Sequence, residues 1–138
     1  MTNKLPITRG CHHIGLTVAN LGESAHFFTG VLGWSEVRRD PEYPAVFITD
    51  GTLMITLWQV KSDSPGQFDR KQNIGLHHLA LQVEDFARLD AIHEKLKAAN
   101  IKIEFSPQSL RDGPAKHMMC YEPGGIRIEF ICIPKETD

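Results

Sequence analysis

The chain has 138 residues, 41% of them hydrophobic and 23% charged, enough for one domain with a real core and too few for two ordinary domains. Fifteen Lys and Arg stand against 17 Asp and Glu, and a formal net charge of -2 excludes the basic excess of a nucleic-acid binder, leaving a small-molecule or protein partner. No apolar run of about 18 residues is present to span a bilayer. Cys11, Cys120 and Cys132 form no CxxC pair and read as reduced core thiols, and the opening MTNKLPITRG lacks the apolar stretch of a signal peptide, so the expected location is cytoplasmic.

The first recognisable phrase is GCHHIGLTVANL, from Gly10 to Leu21. Its alternating apolar residues predict a strand, and Asn20 followed by Glu23 predicts a capped helix carrying Leu21, Ala25, Phe28 and Leu32 inward until Gly33 stops it. Three β-like segments follow, at 34–39, 45–49 and 53–60, with Asp50-Gly51 as a turn before the last. The stretch 61–73, polar and rich in turn residues, is the expected linker.

Beyond it the phrase returns. GLHHLALQVEDF, from Gly75 to Phe86, repeats Gly, His, His, an aliphatic residue, Leu and Val in step, 65 residues after the first copy. Asp85 takes the place of Asn20, and Phe86, Leu89, Ile92, Leu96 and Ala99 draw the second helix to Asn100. Segments 101–105, 117–121 and 126–133 complete the half, with Gly124-Gly125 as the turn. Each half, about 8–60 and 74–134, reads as βαβββ within a single domain. The expected fold class is α+β: two paired modules whose eight strands form one curved sheet, an open, cup-like barrel.

Alternation along strands groups the candidate residues by face. His13 and His78 occupy equivalent places, while His12 and His77 are expected on the opposite face. Matching ITL (55–57) with IEF (128–130) puts Glu129 where the first half has Thr56. Glu129 interrupts the apolar run IRIEFICI, and a buried carboxylate demands a cation or hydrogen-bond donors. Two imidazoles and one carboxylate are a donor set for a divalent metal with positions left open, so His13, His78 and Glu129 are the candidate ligands. His117, after Arg111-Asp112-Gly113-Pro114, is either a proton carrier at the cup mouth or an exposed histidine. Tyr121 and Arg127 are candidates for orienting an anionic or enediolate-like substrate. Met54, Phe47 and Trp58, with Thr56, line the cup or belong to its core.

HHIGLTVANLGESAHFFTGVLGW, HHLALQV and EPGGIRIEF together resemble the vicinal oxygen chelate superfamily, the glyoxalase, bleomycin-resistance and extradiol-dioxygenase proteins, over nearly the whole chain. The resemblance implies paired βαβββ modules forming a cup, a homodimer, and one divalent metal (Zn, Ni, Mn or Fe) held by His13, His78 and Glu129. A glyoxalase I-like site would supply a fourth ligand at Thr56, so three protein ligands are implied here. The dioxygenases carry a tyrosine where this chain has Met119; the fosfomycin enzymes carry Thr where it has Gly15, and their cation-binding loop does not resemble DGPAKHMM. The resemblance implies a glyoxalase-like lyase or isomerase working through an enolate-like intermediate, with Glu129 as ligand and proton shuttle. An oxygen-inserting or resistance-type enzyme at the same ligands, and a metal-free drug- or ligand-binding protein, stay open alongside it. So does whether one chain or two supply the ligands.

Overall fold

In the computed structural model, which describes residues 4–135, the repeated phrase becomes repeated local structure. Asn20 stays extended and its Oδ1 accepts the N–H of Glu23 at 3.0 Å; at the equivalent place Asp85 Oδ1 accepts the N–H of Arg88 at 2.8 Å. Each satisfies a donor that the first helical turn leaves without a partner, so strand gives way to helix at the same point of both halves. The order is β1 (His13–Val18), α1 (Leu21–His26) continued by a π-helical turn (Phe27–Val31), β2 (Ser35–Asp40), β3 (Ala45–Thr49) and β4 (Met54–Gln59). Then come β5 (Leu79–Gln82), α2 (Phe86–Ala98), β6 (Lys102–Ser109), β7 (Lys116–Tyr121) and β8 (Arg127–Cys132). Both halves are βαβββ, and the α+β class holds.

The first helix departs from the uninterrupted α-helix that its spacing predicts. After His26 the N–H of Leu32 reaches back five residues to the Phe27 carbonyl at 3.2 Å. Phe27 and Phe28, where this turn begins, are both buried with ring centroids 5.0 Å apart, and burying each ring contributes roughly 1.5–3 kcal/mol. Gly33, at φ +80, then ends the segment as the sequence predicts.

The strand orders are β1-β4-β3-β2 and β5-β8-β7-β6, with first and last strands of each half side by side and parallel. The eight strands therefore form two four-stranded sheets rather than one continuous sheet. Two of the four outer strands carry features that discourage further pairing: β2 exposes Glu36, Arg38 and Arg39, and β6 contains Pro107, which lacks a donor. One face of each sheet packs into a single shared core, where Leu16, Ile55 and Leu57 join Leu81, Ile128 and Phe130 around the helical residues Phe28 and Leu89. A buried polar contact also crosses the halves: the Ser24 hydroxyl donates to Glu122 Oε2 at 2.5 Å, and Glu122 Oε1 accepts the N–H of Ile126 at 3.1 Å. The opposite sheet faces carry exposed positions, including His13 and Thr17 in the first half and Ala80 and Gln82 in the second.

Cys120 and Cys132 are buried as expected, whereas Cys11 is exposed. Burial pushes the Cys120 thiol up to about 12, which keeps it unreactive. Among the described residues, no helix is long and apolar enough to cross a membrane.

Candidate metal centre

Strand register settles which residues are equivalent. Gly15 on β1 lies opposite Thr56 on β4, and Ala80 on β5 lies opposite Glu129 on β8. Thr56 and Glu129 thus occupy the same place in the two halves, each on the open face two strand positions from a histidine of the repeated phrase. Glu129 is only 7% exposed, between the buried Ile128 and Phe130. Left alone there, a carboxylate would cost several kcal/mol.

Two imidazoles meet it. His78 Nε2 stands 3.1 Å from Glu129 Oε1, and His117 Nδ1 stands 2.6 Å from Oε2. Two ligand atoms each about 2.1 Å from an ion and at right angles around it lie about 3.0 Å apart. The 3.1 Å between His78 Nε2 and Glu129 Oε1 fits two ligands of one ion. An imidazole and a carboxylate also suit first-row divalent cations, from Mn to Zn, by donor type. His117 is not the exposed histidine that the sequence left open: its side chain is 13% exposed and lies against Glu129.

The first half presents a different surface. The Thr56 hydroxyl accepts the Trp58 indole N–H at 2.9 Å and lies 3.5 Å from the Ile14 carbonyl, so it is engaged within the protein rather than free to bind an ion. Trp58 packs edge-on to Tyr43 at 4.7 Å and tilted to Phe47 at 5.7 Å between ring centroids. Met54 lies opposite His13 in the register. Met54, Thr56, Trp58 and Phe47 therefore share one face with His13, as strand alternation predicts. His13 is exposed and stands on the other sheet from His78 and Glu129. Among the described residues, no three His, Cys, Asp or Glu side chains of one chain are grouped to hold a metal ion.

The expectation that His12 and His77 face away from their neighbours needs correcting. His12 Nδ1 lies 2.9 Å from His13 Nδ1, and His77 Nδ1 lies 2.7 Å from His78 Nδ1. β1 begins only at His13 and β5 only at Leu79, so the alternation that would separate each pair has not yet begun.

Tyr121 and Arg127 lie opposite each other on β7 and β8 and share a partner that sequence reasoning missed. Arg127 Nε and Nη2 donate to Glu104 Oε1 and Oε2 at 2.9 and 2.8 Å, and the Tyr121 hydroxyl donates to Glu104 Oε1. Arg70, from the stretch read as a linker, donates from Nη1 to the Tyr121 hydroxyl at 3.2 Å. The Arg127 hydrogen bonds hold the Glu104 carboxyl well below its usual range, at about 2, so Arg127 faces any ligand with its charge largely matched. No spacing rule links Glu104 to Arg127, because β7 lies between their strands.

A cavity of about 420 Å3 lies elsewhere, on the helix side, where His26 and Val31 approach Ala99 and Ile101. The candidate ligands sit instead on open sheet faces, which need a second wall to make a pocket.

Comparison with known proteins agrees with this architecture. The model of the glyoxalase/bleomycin resistance protein/dioxygenase superfamily matches residues 10–130. A 2-epi-5-epi-valiolone epimerase from Actinomyces sp. is 27% identical over an alignment covering 94% of this chain and 82% of that protein. The crystal structure of a glyoxylase/bleomycin resistance protein/dioxygenase domain from Frankia sp. EAN1pec superposes with a TM-score of 0.81 at 26% identity, covering 94% of this chain and 96% of that one. A fosfomycin resistance protein, FosX, from Listeria monocytogenes, crystallised as a mutant with Mn(II) and 1S,2S-dihydroxypropylphosphonic acid, gives 0.70 at 18% identity over 90% of each chain. At that identity the likeness speaks for the fold alone.

Proposed function

The chain belongs to the glyoxalase/bleomycin resistance protein/dioxygenase superfamily, and on that premise we propose that it is a divalent-metal-dependent isomerase or lyase. Its substrate class is a small molecule with two neighbouring oxygens, one of them a carbonyl. The observation that carries this reading is the buried Glu129 carboxylate with His78 Nε2 3.1 Å from one oxygen. Similarity to an epimerase supports the isomerase side, since epimerisation beside a carbonyl begins with removal of the proton on the neighbouring carbon.

His78 and Glu129 would hold the ion from the second sheet and His13 from the first. Because His13 lies on the separate, open face of the other sheet, its place in the site is filled by a second copy of the chain, in a homodimer with two such sites. Ile7, Ile74 and Leu76, exposed ahead of His13 and His78 in the chain, are apolar surface for such an interface. When bound, the ion supplies Lewis-acid stabilisation of the negative charge that develops on the substrate oxygens.

The chain's own groups do the rest. Glu129 is ligand first and base second, taking the proton from the carbon beside the carbonyl; among the described residues no other carboxylate on the open faces is as little exposed. His117 stands against the other carboxylate oxygen, Oε2. Tyr121 and Arg127, tied to Glu104, orient the substrate oxygens, while Trp58, Phe47, Met54 and Thr56 shape the opposite wall.

The test is proton exchange. Metal-loaded protein in D2O with a panel of small α-hydroxyketones should wash deuterium into the carbon beside the carbonyl of at least one, well above the metal-only background, as read by proton NMR. Oxygen uptake with a catechol and no exchange on any ketone would contradict the isomerase reading.

A further inference from the structure

We infer that His117 is a positioning residue for the metal centre, fixing Glu129 so that Oε1 stays turned toward His78. The inference rests on the metal reading of Glu129 and His78. It begins with strand geometry: on β7 and β8 Met119 lies opposite Glu129 and His117 lies opposite Ile131. His117 and Glu129 are diagonal neighbours on one face, a separation that long side chains span.

An ionised carboxylate can only accept hydrogen bonds, so at 2.6 Å the His117 Nδ1–H donates to Glu129 Oε2. The direction is the same whichever charge His117 carries. Its ring is held in turn by Phe105, whose centroid lies 4.9 Å away at 58°, and the side chain is 13% exposed. The last torsion of a glutamate is otherwise soft. With Oε2 tied to one strand, Oε1 remains 3.1 Å from His78 Nε2, a separation that suits two ligands of one ion. The first half has no counterpart, since Thr56 there is held by Trp58. Partners of this kind typically change metal affinity by about 10- to 100-fold when removed.

The experiment compares Mn(II) and Co(II) affinity of the full-length native protein with His117→Leu and His117→Gln variants, by calorimetric titration without substrate. His117→Leu is expected to bind about 10- to 100-fold more weakly. His117→Gln, whose amide can still donate, is expected to recover most of that loss with an unchanged Co(II) absorption spectrum. The thermal midpoint of each metal-free protein reports any general damage, and His117→Phe, which keeps a ring against Phe105, replaces the Leu variant if that one does not fold. Native-like affinity in the Leu or Phe variant overturns the inference while leaving the metal reading intact. Equal weakening in Leu and Gln with an altered Co(II) spectrum overturns it too, because His117 would then be a ligand itself. A native protein that takes up neither ion overturns both.

Discussion

Glu129→Gln is expected to weaken divalent-metal binding by more than about a hundredfold while leaving the metal-free fold intact. Gln keeps the shape of Glu and removes the charge. The charge is what attracts a cation into a site where Glu129 is 7% exposed and Ile128 and Phe130 on either side are buried. In the metal-free protein the amide can still hydrogen-bond to the imidazoles of His78 and His117, so no isolated buried charge remains to destabilise the sheet. Thermal unfolding separates the two effects. An ion at 100 times its dissociation constant stabilises a native protein by about 2.7 kcal/mol; the variant should lose that increment and keep the native midpoint without metal. Equal metal stabilisation in both proteins would remove Glu129 from the ligand set.

The second large effect is complementation. His13→Ala and Glu129→Gln proteins should each bind metal poorly when pure, and a mixture unfolded and refolded together should regain part of the capacity. In a mixed dimer with crossed sites, one site combines the altered His13 and the altered Glu129, and the other combines both native residues. Random pairing makes about half the dimers mixed and so restores about one site in four. The physical basis is the separation of the two sheets, which pair β1-β4-β3-β2 and β5-β8-β7-β6 with no strand shared. No recovery after verified mixing would place all the ligands within one chain.

Much of this organisation is legible in the residues themselves. The two copies of the Gly-His-His phrase fix the modular plan, because the same strand, cap and helix signals recur and local physics treats them alike; Asn20 and Asp85 cap as their side chains predict. Alternation likewise places Glu129 on the same face as Arg127 and opposite Ala80. What sequence reasoning misses depends on packing between distant segments. The π-helical turn at Phe27–Val31 is one such feature, since a search for periodicity at 3.6 residues assumes regular helix throughout. Glu104 meets Arg127 across an intervening strand, and Arg70 arrives from a segment that looks like plain linker. The bond from Ser24 to Glu122 joins the halves over 98 residues. His12 and His77 escape the alternation rule because strand geometry begins only after them, at His13 and at Leu79.

A divalent ion is expected with His13, His78 and Glu129. The decisive measurement is elemental analysis of the native protein, expressed in metal-replete medium and purified without chelators or affinity metals. About one equivalent of Mn, Fe, Ni or Zn per chain is the predicted outcome, retained through gel filtration and lost in the His78→Ala variant. A native protein that emerges metal-free and binds none of these ions on dialysis against them would contradict the claim, and the open faces would then belong to a protein that binds its ligand without metal.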